Sequence, residues 1–359
     1  MKEKEMPFPL GKIDDFRVYL PPEDLDEKTA MLQVRQFNDA NRSFAEKFNC
    51  SGETPRISAS FVYAHPADYR GKPMLHADVS AWRTELQRLK DMHIDSVIFQ
   101  AALWRELNEC FYRSKSYSFM KQYPVAETLL EAAEQEKIRV YLGGYGSVAG
   151  WTEHFSEEDL KEEIAEHRRC FQELKDFPSV AGFYFPCETS YADRRLPEKE
   201  HRMHILYRNF SDMVKSCNPN LKIIISPATM HRPERNPEFI EFWNAILEDT
   251  QIDILMPQDC IGNCCSHLEE IPAQWQAWRK IADENKMKLW SHTELFERRS
   301  FYEPVNLYPA SPRRVAAQLA LTAPYAERHC CWEALHFASA DAGGEGVILQ
   351  KYLQSGKIT

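Results

Sequence analysis

Apolar residues along this chain gather into short runs, and between the runs they recur at helical spacing. Eight runs stand out, at 57–63, 96–103, 139–143, 181–188, 222–227, 252–259, 288–296 and 330–337. A helical pattern follows each one, and this alternation predicts parallel strands joined by helical crossovers. Eight strands of this kind close a (β/α)8 barrel, a single α/β domain. The competing open sheet would carry a glycine-rich phosphate-binding turn after its first strand, and Tyr63-Ala64-His65-Pro66 has none.

Helix starts support this register. Val79, Trp82, Leu86 and Leu89 fall on one helical face behind Asp78, which is placed to cap. Ser156-Glu157-Glu158-Asp159 reads as a capping box opening a helix that runs to about Asp176. Asn236-Pro237 and Ser311-Pro312 each put proline at a first helical position behind a cap residue. Two segments lie outside the repeat. Residues 1–55 form an N-terminal extension, with a polar helical stretch near 27–48, expected to pack on the barrel formed by residues 56–359. The second segment, 104–123, is an aromatic loop after strand 2 containing Trp104, Phe111, Tyr112, Tyr117, Phe119 and Tyr123. Such a loop shapes a cleft or packs on the barrel top.

Composition narrows the partners. In 359 residues, 43% hydrophobic, no run approaches the length of a membrane span. The net charge of -10 and the scattered basic residues speak against nucleic acid. Lys2 and Lys4 precede no apolar stretch, so a cytoplasmic location is expected unless a leader has been removed. Ten cysteines show no disulfide framework, and reduced thiols are expected in a chain with this much core.

Strand ends carry the candidate chemistry. Glu188 closes Ala181-Gly-Phe-Tyr-Phe-Pro-Cys-Glu188, the fourth run, and Glu294 closes Lys288-Leu-Trp-Ser-His-Thr-Glu294, the seventh. Strands 4 and 7 stand on opposite sides of an eight-stranded barrel, so two carboxylates at their ends can flank a sugar, one as acid/base and one as nucleophile. The plainer reading pairs Glu188 with Arg194 or Arg195, and Glu294 with Arg298 or Arg299. Asp259 ends the sixth run as a third carboxylate, able to bind a hydroxyl, tune a glutamate, replace one of them as catalyst or cap a loop, and Gln258 beside it can bind sugar. Glu333 and Trp332 fall in the eighth run and face opposite ways, so one of them looks inward. Tyr145, Trp151, Tyr184, Tyr191, Phe296, Trp332 and His292 lie at or near strand ends, where aromatic faces stack on sugar rings or simply pack. Cys187 with His292 is a nucleophilic alternative. The loop Cys260-Ile-Gly-Asn-Cys-Cys-Ser-His267 holds three thiols and an imidazole, but it matches a zinc site poorly, and no metal is expected.

Three stretches, Ala181-Gly-Phe-Tyr-Phe-Pro-Cys-Glu188, Asp253-Ile-Leu-Met-Pro-Gln-Asp259 and Leu289-Trp-Ser-His-Thr-Glu-Leu-Phe296, resemble strand-end signatures of domain-of-unknown-function family 4434, a glycoside-hydrolase-like TIM barrel family. Arg139-Val-Tyr-Leu-Gly-Gly144 and Ile225-Ser-Pro227 fit its third and fifth strands. The resemblance implies a barrel and a carbohydrate-active site, with Glu188, Asp259 and Glu294 where members carry acidic residues. This chain departs from the family pattern at Cys187 and Cys260, and members are often exported. Together these readings lead to a glycosidase acting on a glycoside or oligosaccharide, with a retaining mechanism favoured and no organic cofactor. The alternative is a carbohydrate-binding barrel without turnover.

Overall fold

The computed structural model describes residues 26–48, 54–65, 73–151, 155–191, 195–299 and 307–358. Eight parallel strands close a barrel: β1 Ala59–Val62, β2 Ser96–Phe99, β3 Arg139–Gly143, β4 Val180–Tyr184, β5 Lys222–Ile225, β6 Ile254–Leu255, β7 Lys288–Glu294 and β8 Arg328–Trp332. Each pairs with its neighbours in chain order, and the ring closes where Ala59 and Ser60 of β1 pair with Cys330 and Cys331 of β8. Parallel strands covered on both faces must be apolar almost throughout, which is why these segments read as continuous runs rather than alternating ones. Alternation is still visible in what each side chain meets. Phe61, Ile98, Tyr184, Ile224, Met256 and Trp290 pack together inside the barrel, while their chain neighbours Val62, Val97, Phe183, Ile225, Leu255 and Leu289 join the core beneath the helices.

The helices that follow are α1 Glu27–Lys47, α2 Val79–Asp91, α3 Val125–Glu136, α4 Glu157–Leu174, α5 Pro197–Cys217, α6 Asn236–Leu247, α7 Ile271–Glu284, α8 Pro312–Thr322, α9 Ala334–Phe337 and α10 Gly343–Ser355. Asp78 caps α2 through the Ala81 amide at 2.8 Å, and Ser156 and Asp159 form the reciprocal capping box of α4. Ser311 accepts from the Arg314 amide at the start of α8. Asn236 departs from expectation. It is already helical, preceded by the short turn Pro233–Arg235, and its side chain is used at 2.8 Å to His231 and 3.0 Å to the Ala273 carbonyl.

Other boundaries move as well. The eighth run stops as a strand at Trp332; Glu333 is the junction, and Ala334 to Phe337 coil into α9. The segment after β2 is not an irregular loop. It contributes three two-residue strands, Leu103–Trp104, Glu109–Cys110 and Lys121–Gln122, to a small sheet completed by Tyr145–Gly146. Most of its aromatics are packing residues: Tyr112 donates to Glu173 at 3.1 Å, Tyr117 donates to Glu166 at 2.7 Å, and Phe119 alone of the six is largely exposed. Helix α1 lies on an outer face against α8 and the turn Leu268–Glu270, tied by Asn38 to the Arg298 carbonyl and by Asn41 to the Leu268 amide. Residues 1–25 of the extension lie outside the described residues. Among the described residues no helix is long and apolar enough to cross a membrane.

Candidate active site

The C-terminal ends of the strands converge on Glu188. Beyond the regular strands a line of single bridges continues the sheet from Ser190 through Ala228 and Gln258 to His292, so residues after β4, β5 and β6 stay in register with β7 at the rim. Glu188 is half-buried there. Its Oε1 accepts from the Tyr184 hydroxyl at 2.8 Å and its Oε2 from Gln258 Nε2 at 3.0 Å. Gln258 also donates to the Ser226 carbonyl at 2.9 Å, and Ser226 Oγ lies 2.8 Å from His292 Nδ1. One chain of contacts therefore links the ends of four strands. Burial is the main influence on the Glu188 carboxyl and pushes it up to about 7, against the two hydrogen bonds. His292 is fully buried, stacked on Phe61 at 4.7 Å, and burial lowers its imidazole to about 3, so the ring is neutral.

A second acidic cluster lies at the end of β7. Glu294 is buried, and its Oε2 accepts from the Asn263 amide at 2.8 Å in the loop after β6. Asp259 faces away from the barrel interior: Gln318 of α8 donates to its Oδ2 at 2.6 Å, and the Ile261 amide to its Oδ1 at 3.2 Å. Arg314 of α8 donates to the Glu294 carbonyl at 3.0 Å. Burial first, and the Asp259 charge second, raise the Glu294 carboxyl above the usual carboxylate range; Asn263, Arg314 and Arg298 oppose this. Burial raises Asp259 too. Two acids in one low-dielectric region cannot both ionise freely, so the pair titrates jointly.

Salt bridging does not account for either glutamate among the described residues. Arg195 pairs with Glu200 and Glu241, Arg298 donates to Asn263 Oδ1, and Arg299 pairs with Glu297 and Glu345. Arg194 lies outside the described residues.

The remaining expected residues divide. Trp332 lies at the mouth with its ring 4.6 Å from Tyr63 and 5.2 Å from Phe61, and Glu333 beside it is buried with its charge acting on Tyr63. Tyr145 is not at the mouth; it is buried against His167 of α4 at 5.3 Å. Tyr191 donates to Glu238 at 2.8 Å and packs on Phe239 and Phe242. Phe296 packs on Phe337. Trp151 ends the turn Ala149–Trp151, and its side chain is outside the description. Cys187 and His292 are not brought together. The thiol is buried beside Ser147, with the charges of Glu163 and Lys199 acting on it, and burial raises it well above the usual thiol range. In the cysteine loop, Cys260 packs on Ala228 and Met230, Cys264 turns to Asn38, and the His267 ring lies tilted against Phe37 at 4.1 Å. Among the described residues no three His, Cys, Asp or Glu side chains are arranged to hold a metal ion.

The match to the model of a domain of unknown function, DUF4434, spans residues 74–342. This chain belongs to the DUF4434 family. No curated protein sequence matches it. Among solved structures it is similar to a protein from Bacteroides thetaiotaomicron provisionally named an alpha-L-fucosidase, at 17% identity and a TM-score of 0.63, over 86% of this chain and 97% of that one. It is also similar to a GH113 beta-1,4-mannanase, at 11% identity and a TM-score of 0.53 over 85% and 100% of the two chains. A beta-galactosidase from Halorubrum lacusprofundi aligns at 10% identity with a TM-score of 0.52, over 84% of this chain and 57% of its own. At these identities the likeness is one of fold, and this DUF4434 member shares the closed barrel.

Sequence reasoning passed over Tyr63, Gln100, Ser226, Asn263 and Gln318. For the first two a signal existed: each continues the inward parity of its strand, Tyr63 after Phe61 and Gln100 after Ile98. For Asn263 and Gln318 there was none, because their partners lie 31 and 59 residues away.

Proposed function

We propose that this protein is a glycoside hydrolase in which Glu188 is the general acid/base and Glu294 the nucleophile. The observation that carries the reading is a partly buried carboxyl at the mouth of the barrel, held by Tyr184 and Gln258 and raised to about 7. An acid of that strength is protonated in useful amount near neutrality yet can give its proton up. In the first step Glu188 donates its proton to the glycosidic oxygen as the bond to the anomeric carbon breaks, and a Glu294 carboxylate oxygen bonds to that carbon. Water then attacks the glycosyl ester, losing a proton to Glu188 and releasing Glu294. The fold shared with named glycosidases supports this reading.

Glu294 must be ionised to attack, and burial and the Asp259 charge raise its carboxyl. The positive charge developing on the sugar beside it favours ionisation, as do Asn263 and Arg314. The same elevation favours a second reading, a barrel that binds carbohydrate without cleaving it.

A panel of aryl glycosides and natural oligosaccharides, assayed with wild type and Glu188→Gln, separates the two. Hydrolysis with retained anomeric configuration, lost in the variant, is expected. Binding without turnover in both proteins would sustain the second reading, and inverted product would exclude Glu294 as nucleophile.

A further inference from the structure

Three buried polar atoms near Glu188 have no hydrogen-bond partner among the described residues: Tyr63 Oη after β1, Gln100 Oε1 after β2 and His292 Nε2 on β7. Gln100 is 5% exposed and His292 0%. Leaving such groups unpaired costs stability, so native proteins rarely do so without a ligand or water to serve them. These three are not scattered. The Tyr63 hydroxyl feels the charges of both Glu188 and Glu333 and interacts with the Gln100 side chain beside it. The Tyr63 ring meets Trp332 edge-on at 4.6 Å, and Trp332 is 5.9 Å from the His292 ring. His292 in turn connects through Ser226 to the backbone that also holds Gln258, which holds Glu188.

We infer that Tyr63, Gln100 and His292 form the subsite that reads the hydroxyls of one neutral sugar ring, next to the bond addressed by Glu188. This rests on the proposed carbohydrate site and names its ligand class. The chemistry matches a polyol. A sugar hydroxyl both donates and accepts, and here it meets an amide oxygen that only accepts, a phenol that does both and a neutral imidazole nitrogen. Trp332, partly exposed at the mouth, supplies an apolar surface for the ring's face. The sign of the charge selects further. A uronate or a sugar phosphate would bring its anion toward Glu188 and Glu333, so a neutral pyranose is favoured.

The test compares wild type with Tyr63→Phe and Gln100→Leu, titrating each by calorimetry with glucose, mannose, galactose, L-fucose and glucuronate up to roughly 100 mM, a range that captures weak subsite binding. At least one neutral sugar is expected to bind. Each variant should weaken it by about fivefold to tenfold, the loss of one hydrogen bond, and glucuronate should bind more weakly than that sugar. Thermal unfolding without ligand gives an independent readout. A tyrosine hydroxyl already bonded inside the protein would cost stability when removed, whereas Tyr63→Phe should leave the midpoint unchanged or raise it. Unaltered affinity in both variants, tighter binding of glucuronate, or no neutral sugar bound by wild type would overturn the inference. Sugar binding lost in these variants but without turnover in wild type would leave the subsite standing and remove only the hydrolase reading.

Discussion

Glu188 and Asp259 are both acids at strand ends, and their surroundings differ. Glu188 shares its interior with two tyrosines, an amide and a neutral histidine, and replacing it with glutamine removes its titrating proton while keeping the hydrogen-bond geometry. A fall in kcat of about 10²–10⁴-fold is expected, the range for loss of a general acid. The pH dependence has a definite sign. Under the proposed mechanism the acid form is required, and it dominates below about 7, so kcat/KM should decline above that pH, and any residual activity in Glu188→Gln should lack this limb. Asp259 is bonded by Gln318 and the Ile261 amide, and its charge acts on Glu294. In Asp259→Asn the charge that raises Glu294 is gone, so the acidic limb of the kcat profile should move to lower pH. The substitution is tolerable because Gln318 can turn its amide: among the described residues Gln318 Oε1 has no partner, and it can accept from the new Nδ2. An unmoved acidic limb in Asp259→Asn would show that Glu294 is not the group being titrated.

At the scale of elements, two loops position the acids through glycines. Gly262 lies against β7: a Cβ there would come within 2.1 Å of the Phe296 carbonyl oxygen and 3.1 Å of Glu294 Oε2. Since the Phe296 oxygen is backbone, the loop itself must shift, taking the Asn263 amide off Glu294. Gly262→Ala is therefore expected to cost about 1–3 kcal/mol in urea unfolding, as overpacking does, and to lower activity. Gly150 makes the same kind of approach to the Glu188 carbonyl oxygen, at 2.0 Å. Both contacts join a loop to an element distant in sequence, so neither glycine stood out from local pattern. The helix starts were different. Asp78, Ser156 and Ser311 cap within three residues of themselves and were readable from the chain. Asn236 carried the same local signal and failed, because its side chain is taken up by His231, five residues earlier, and by the distant Ala273 carbonyl.

For the whole molecule, buried acids make stability depend on pH. The folded-state Glu188 carboxyl lies above its ordinary value, so its contribution is fully present below about pH 4.5 and is lost as pH rises through about 7. Glu294, also raised, adds a loss in the same direction. The thermal midpoint should therefore fall between about pH 5 and pH 8, and Glu188→Gln should flatten that slope; an unchanged slope would mean that Glu188 does not titrate in this range. The order of elements, the closed barrel and the two glutamates at the ends of strands 4 and 7 were legible in the sequence, because strand burial, helical spacing and capping act over a few residues. Tertiary structure alone decided which strand-end residues face the interior and what each one meets. It turned Asp259 toward α8, sent Tyr145, Tyr191 and Cys187 into the outer packing, and linked Glu188 through Gln258 and Ser226 to His292. The physical reason is range: alternation assigns a face only while a strand lasts, and at the rim the strands have ended, so direction passes to hydrogen bonds between residues far apart in the chain.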